Sequence, residues 1–493
     1  MSAGQDEIEL KFLCEPADLA VVLAAAPPGE THEKALVSTY YDTPQGDLRK
    51  ARISLRIREG GGKRVQTLKR GDGFAREEHE QTITTDGLDL SLPALKDALP
   101  PAKRKTLSPI FTVRVVRRQR TFEFGGSLIE LAVDEGEVQA GERARRISEV
   151  ELELMSGDCR PMFELARQLS KTAPLYLSFD GKATQGQGLI DGSDRSPRRH
   201  DKAPLARGLT AAGAFQAIAR NTLVQIAANG VVLREADSVE AVHQLRVAVR
   251  RLRSAVSTFS DVADDDHAEA IKAELKWLAG ACDEARDLDV FAEGATMLAQ
   301  PTLDHSPLAP VVDAARARAH AKACAAVASG RFRELVLEST AWVETGAWLT
   351  QGGKTSAKRR DMPAETFAAK ALTRRRKRLL KLAADIKGRD DEARHHGRIA
   401  AKKLRYAAEA FAPLFDGEAK PFINTLKQLQ DHLGALNDLA VAGGLVERLR
   451  LKGAALAAAR ELLAALEAGR PRLIKGAAKA MDRLAASPTF WVI

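Results

Sequence analysis

Cysteine is scarce in this chain: Cys14, Cys159, Cys282 and Cys324 stand far apart, with no C-x-x-C spacing. That suits free thiols in a reducing compartment better than a disulfide framework or a zinc site. Aromatic residues make up only 5% of the 493, too few for platforms that stack single-stranded nucleic acid. No apolar run spans a bilayer, since Leu19 to Ala26 is far too short. The acidic, polar N-terminus lacks the basic start and apolar core of a signal peptide. A cytoplasmic protein without membrane contact is therefore expected. A G-x-x-x-x-G-K loop is also missing, which argues against P-loop phosphate chemistry.

What the chain has is charge of both signs, unevenly arranged. Lysine and arginine number 75 against 66 aspartates and glutamates, a formal charge of +9 and a pI near 9.3. An anionic partner fits that balance. With 45% apolar residues the chain can bury sizeable cores, and its length implies two or three domains.

From Ile8 to about Lys182 the text alternates with a period of two, broken by Gly, Pro and Asp. Strands are expected at 7–13, 36–41, 52–58, 64–70, 77–83, 110–117, 120–124, 128–134 and 147–155, with short helices near 16–26 and 162–172. One face of these strands is unusual. Glu7, Glu9 and Lys11 share a face opposite Ile8 and Leu10. Arg56 and Arg58, Lys69, Glu78 and Glu80, Arg114, Glu130 and Asp134, and Glu149, Glu151 and Glu153 extend the pattern. A solvated strand edge accounts for any one of them. So many strands carrying both signs is better accounted for by a barrel with a charged lumen and an apolar outer wall. Carboxylates suit divalent cations, and the arginines and lysines suit a polyanion.

These residues resemble the CYTH, or triphosphate tunnel metalloenzyme, superfamily. The resemblance rests on Glu7-x-Glu9-x-Lys11, Tyr41-Asp42-Thr43, Ser54-Leu55-Arg56-Ile57-Arg58, Gln66-Thr67-Leu68-Lys69, Arg76-x-Glu78-x-Glu80, Asp134-Glu135-Gly136 and Glu149-x-Glu151-x-Glu153. It implies an eight-stranded antiparallel tunnel that binds triphosphates with Mg²⁺ or Mn²⁺. Lys11, Arg56, Arg58, Lys69, Arg114 and Lys182 are then expected to clamp phosphate oxygens. Glu7, Glu9, Asp134, Glu151 and Glu153 are expected to hold metal. Near the end of this region Gln185 stands where the family often has arginine, which bears on turnover more than on fold.

A stretch rich in Gly, Asp, Ser, Pro and Arg follows, and residues 184–204 read as a flexible linker between a tunnel domain at 1–183 and a helical domain at 205–487. The helical half contains a duplication: Val242 to Arg253 matches Arg394 to Arg405. At about 100° per residue, His243, Arg246, Arg250 and Arg253 share an arc of about 80°, separate from that of Leu245, Val249, Leu252 and Val256. His395, Arg398, Lys402 and Arg405 form the second stripe. Neither stripe contains an acidic residue, unlike an ordinary solvated face. Both copies resemble the CHAD domain, an α-helical domain named for conserved histidines, which implies two pseudo-symmetric bundles and a basic groove for inorganic polyphosphate. Gly397 replaces the usual apolar residue of that motif, and the run Arg374 to Arg378 is expected to add to the same basic surface.

The expected architecture is thus multidomain α+β, a β tunnel followed by an all-α duplicated domain. The expected activity is metal-dependent hydrolysis of inorganic triphosphate, with polyphosphate bound by the helical half and no specific nucleic acid. A non-catalytic polyphosphate binder is the alternative. Nucleotide cyclisation is a third reading, disfavoured because nothing marks a base-reading pocket.

Overall fold

A computed structural model describes residues 5–492 apart from 72–73, 202, 204 and 298–305. The chain forms two compact units, Met1–Arg198 with Arg333–Ala341, and Arg199–Phe332 with Trp342–Ile493.

In the first unit the strands are β1 (Gln5–Leu13), β2 (His32–Asp42), β3 (Ile53–Gly60), β4 (Lys63–Arg70), β5 (Ala75–Thr82), β6 (Ser108–Phe124), β7 (Ser127–Ala140), β8 (Arg143–Ser156) and β9 (Tyr176–Ser178). All pairings are antiparallel, in the order β5-β4-β3-β2-β6-β7-β8-β1-β9. Strand β1 pairs with β8 through Glu9–Leu13 and with β5 through Gln5–Ile8, so β1 to β8 close on themselves as the expected eight-stranded tunnel. The three-residue β9 adds to the far end of β1. The two strands expected at 110–117 and 120–124 are one continuous β6. Hairpins β3–β4 and β6–β7 turn on Gly61-Gly62 and Gly125-Gly126, whose φ angles are all positive, the backbone that tight two-residue hairpins need.

Helices α1 (Pro16–Ala25), α2 (Asp47–Lys50), α3 (Pro93–Ala98), α4 (Pro101–Arg104), α5 (Arg160–Ser170) and α6 (Lys182–Asp191) accompany the strands. The outward apolar residues of the barrel pack under this cover: Ile129, Leu131, Val133, Val150 and Leu152 are fully buried with Phe163 and Leu165 of α5. Helix α6 corrects the linker reading. Residues 184–191 lack apolar periodicity but continue a helix begun at Lys182, which Gly192 ends in a left-handed conformation (φ 73°).

The remaining helices are α7 (Ala211–Glu235), α8 (Val239–Thr258), α9 (Asp266–Met297), α10 (Ala309–Ala328), α11 (Gly330–Thr345), α12 (Lys354–Arg360), α13 (Ala364–Leu382), α14 (Asp391–Phe411), α15 (Ala419–Arg448), α16 (Gly453–Ala468) and α17 (Arg470–Ala486). The duplicated motif lies on α8 and α14. Both start on a side-chain cap, Ser238 accepting from the Ala241 amide and Asp390 from that of Ala393. Leu245, Val249 and Leu252 of α8 and Ala401, Leu404 and Ala408 of α14 are buried. Gly397 does not interrupt α14; it is buried there, and a Cβ would sit 3.5 Å from Ala383. No helix among the described residues is long and apolar enough to cross a membrane.

Candidate active site and basic cleft

Strand alternation turns the charged side chains of the first unit inward. They line a cavity of about 330 Å³ whose walls include Glu7, Glu9, Lys11, Arg56, Arg58, Lys69, Glu78, Glu130, Glu151, Glu153 and Lys182. Register places like charges side by side. Glu153 lies opposite Glu9 on one flank and Glu130 on the other, and Asp134 lies opposite Glu149. Such pairs repel unless a cation intervenes, and the two ends of the cavity answer that demand differently.

At one end the protein neutralises its own carboxylates. Arg117 grips Asp134 through Nε–Oδ1 (2.7 Å) and Nη2–Oδ2 (2.6 Å) and also donates to Glu151. Lys182 Nζ reaches Asp134 at 2.7 Å and Glu149 and Glu151 at 2.8 Å. Lys11 meets Glu151 at 3.0 Å, and the Gln185 amide donates to Glu149. Burial opposes the charge on Glu151, but Lys11, Lys182 and Arg117 outweigh it and hold the carboxyl well below its usual range. Asp134, Glu149 and Glu151 could together ligate one cation, yet this network already balances them. Lys182, expected on phosphate, is likewise fully engaged.

At the other end counter-charge is short. Lys69 bridges Glu7 (2.7 Å) and Glu78 (3.2 Å), and no ion pair reaches Glu153 or Glu130 among the described residues. Burial, then Glu7, Glu130 and Glu78, push the Glu153 carboxyl up to about 7, against the pull of Lys69. Arg58 lines the same cavity, has no carboxylate partner among the described residues and donates to Ser38 Oγ at 3.3 Å. Burial and the neighbouring Arg56 and Arg117 push its guanidinium down to about 10. Arg56 approaches Glu80 and Glu78 only at 3.9 and 4.0 Å. It interacts with the buried Tyr40 hydroxyl, whose pKa falls although burial opposes it.

Arg114 is not part of this cavity. In β6 the inward residues are Val113, Val115, Arg117 and Gln119, whereas Arg114 is exposed and donates to Gln139 at 3.1 Å. Arg117 takes the inward place. Alternation from the buried valines would have found it; the sequence expectation missed Arg117 and Tyr40 alike. The side chain of Arg76 lies outside the described residues.

In the second unit the two stripes converge. Lys402 lies partly buried near Arg398, Arg250 and Arg246, and it has no ion-pair partner among the described residues. Burial and those arginines push its ammonium down to about 7, with Asp438 opposing. Burial also lowers the pKa of Arg398 and of His243, the latter beside Arg286. The stripes lack acids, but neighbouring helices supply some: Asp283 of α9 meets Arg246 at 2.5 Å and Arg250 at 4.0 Å. His395 Nδ1 lies 2.7 Å from Asn437 Oδ1 of α15. Arg405 instead faces Glu409 at 3.7 Å and stacks over Tyr406. In the run 374–378, Arg376 caps the carbonyls of Leu484, Ala485 and Ser487, a structural task rather than a ligand contact.

Comparison with known proteins agrees with this division. The model of the CYTH domain matches residues 5–186 and that of the CHAD domain residues 217–447. The inorganic triphosphatase of Haemophilus influenzae is 31% identical over 195 residues, covering 36% of this chain and 54% of that protein. The chain thus spans about half the length of that relative. An uncharacterized protein of Mycobacterium tuberculosis is 26% identical over 427 residues, 80% of this chain and 79% of that protein. The crystal structure of the CHAD domain from the plant Ricinus communis is similar at 32% identity with a TM-score of 0.50, covering 58% of this chain and 96% of that one. The chain carries a CYTH domain followed by a CHAD domain.

Proposed function

We propose that the tunnel hydrolyses inorganic triphosphate with a divalent cation, and that the basic cleft of the helical unit binds inorganic polyphosphate. One observation carries the first half. A single cavity holds both crowded carboxylates short of counter-charge and Arg58, a guanidinium without a carboxylate partner among the described residues. A polyanion bridged by a hard cation would relieve both.

The donor set fits such a cation. Glu7, Glu9 and Glu153 offer carboxylate oxygens of the kind Mg²⁺ and Mn²⁺ accept, whereas Asp134 and Glu151 are held by Arg117, Lys182 and Lys11. When bound there, the cation supplies Lewis acidity to the phosphate oxygens. The protein's own groups do the rest. Arg58 and Arg56 pair with oxygens of the substrate and fix its line in the tunnel. The Asp134–Arg117–Lys182 network keeps the neighbouring wall rigid. Water attacks a terminal phosphorus, the bridging P–O bond breaks, and orthophosphate and pyrophosphate leave. A loose transition state of this kind asks for placement and charge stabilisation, not a covalent nucleophile.

In the helical unit Arg246, Arg250, Arg398 and Lys402, flanked by His243 and His395, would track successive phosphates. That contact is electrostatic and should weaken steeply with salt. The experiment is phosphate release from inorganic triphosphate with Mg²⁺, with Mn²⁺ and in EDTA, for the wild type and Glu9→Gln. Release that depends on metal and falls about a hundredfold in the variant is expected. Triphosphate binding without release would favour the non-catalytic alternative, and full activity in EDTA would refute the proposal.

A further inference from the structure

The duplicated helices carry equivalent positions of which one has diverged in charge. Arg251 corresponds to Lys403, Arg253 to Arg405, and Ser257 to Glu409. Around Arg251 the positive charge is balanced: its Nη2 donates to Glu409 at 2.6 Å, and Glu409 also faces Arg405. At the equivalent place around Lys403 no such acid exists, because Ser257 stands where Glu409 would be. Two further cations come in instead. Arg375 and Arg378 of α13 lie beside Lys403 of α14 and Arg253 of α8.

Four cations on three helices therefore meet without a counter-ion. None has a carboxylate within ion-pair distance among the described residues; the adjacent Arg374, by contrast, meets Asp261 at 3.6 Å. Arg375 donates through Nη2 to Thr258 Oγ1 at 2.5 Å, while its Nε is buried and has no hydrogen-bond partner among the described residues. Burial, then Arg375, Arg378 and Arg253, lower the pKa of Lys403. Burial, then Arg374 and Arg378, push Arg375 down to about 10. Folding gains nothing from pressing these charges together. The internally neutralised site at the equivalent position shows that the same scaffold accommodates an acid.

We infer that Arg253, Arg375, Arg378 and Lys403 form a second anion site on the helical unit, separate from the Arg250–Lys402 cleft, that takes a condensed phosphate of two or more phosphoryl units. The charge balance sets the ligand class. One phosphate group carries about −1.5 to −2 near neutral pH, too little to offset four cations, whereas linked phosphoryl groups approach that total. Arginine forks from α8 and α13 suit adjacent phosphoryl oxygens, and Lys403 adds a point charge. The inference goes beyond the function proposed above and is independent of the tunnel's chemistry.

Lys403 itself provides the readout. The full chain, in EDTA so that no triphosphate is consumed, is treated with a trace of amine-acylating reagent, and labelling of each lysine is followed by mass spectrometry. Inorganic triphosphate is the probe, and sulfate at equal ionic strength is the control. Lys403 labelling should slow at least fivefold, saturably, with triphosphate and not with sulfate. The protection should persist in Arg250→Gln/Lys402→Met, which disables the cleft. It should fall to the sulfate level in Arg253→Ala/Arg378→Ala, both exposed positions whose loss leaves the packing intact. Three results would each overturn the inference: no protection beyond sulfate, protection that disappears with the cleft variant while its circular dichroism stays native, or protection that survives loss of Arg253 and Arg378.

Discussion

Replacing Glu153 by Gln should stabilise the metal-free protein while disabling the tunnel. The structure raises the Glu153 carboxyl from an ordinary value of 4.5 to about 7 through burial and the neighbouring Glu7, Glu130 and Glu78. The folded state therefore binds this proton more tightly than the unfolded chain does. Below about pH 4.5 the group is neutral in both states and costs nothing. As pH rises to about 7 the folded state must either keep the proton or bear the charge, and stability falls; above about 7 the whole penalty is present. At about 1.36 kcal/mol per pKa unit the penalty is about 3.4 kcal/mol. Solvent still reaches the group, so about 1.5 kcal/mol is a fairer figure. For a unit of this size that corresponds to a Tm rise of about 3–6 °C in Glu153→Gln at pH 8. Calorimetry of the full chain in EDTA, at pH 4.5 and pH 8, measures it. The gain should appear at pH 8 and nearly vanish at pH 4.5, while phosphate release with metal drops about a hundredfold. A variant less stable than wild type at pH 8, or a gain independent of pH, would show that Glu153 is not crowded as described.

Arg114→Ala should leave triphosphate turnover within about twofold of wild type, whereas Arg58→Ala should lower kcat/KM by a hundredfold or more, since Arg58 lines the cavity and Arg114 does not. Arg117→Leu should cost about 3–5 kcal/mol, read from urea unfolding, because it strands the fully buried Asp134 with only part of its counter-charge. Polyphosphate affinity should be highest below pH 7 and fall as pH rises above it. Lys402 must be charged to bind, its ammonium sits at about 7 in the free protein, and Lys402→Arg should flatten the pH profile in a binding isotherm.

The sequence by itself determined the layout. Period-two charge in Glu7-x-Glu9-x-Lys11 and Glu149-x-Glu151-x-Glu153 is enough to line a barrel with these groups, because strand geometry sends alternate side chains to opposite faces. The repeat of Val242–Arg253 in Arg394–Arg405 is enough to predict paired basic helices. Arg117 was legible on the same rule, through Val113 and Val115, though the expectation chose Arg114. Helix α6 was not: residues 184–191 carry no apolar period, and their helix is held by packing against β6, β7 and β8.

Only the tertiary structure decided which charges are spent and which remain available. Arg117 meets Glu151 and Lys182 meets Glu149 across more than thirty positions of sequence, and that closure separates a neutralised end of the tunnel from the strained one around Glu153. Likewise Asp283 reaches Arg246 from α9 and Glu409 neutralises Arg251 from α14, while among the described residues nothing comparable reaches Lys403. Electrostatic energy depends on separations of a few ångströms and on burial, and neither quantity is written in the order of residues along the chain.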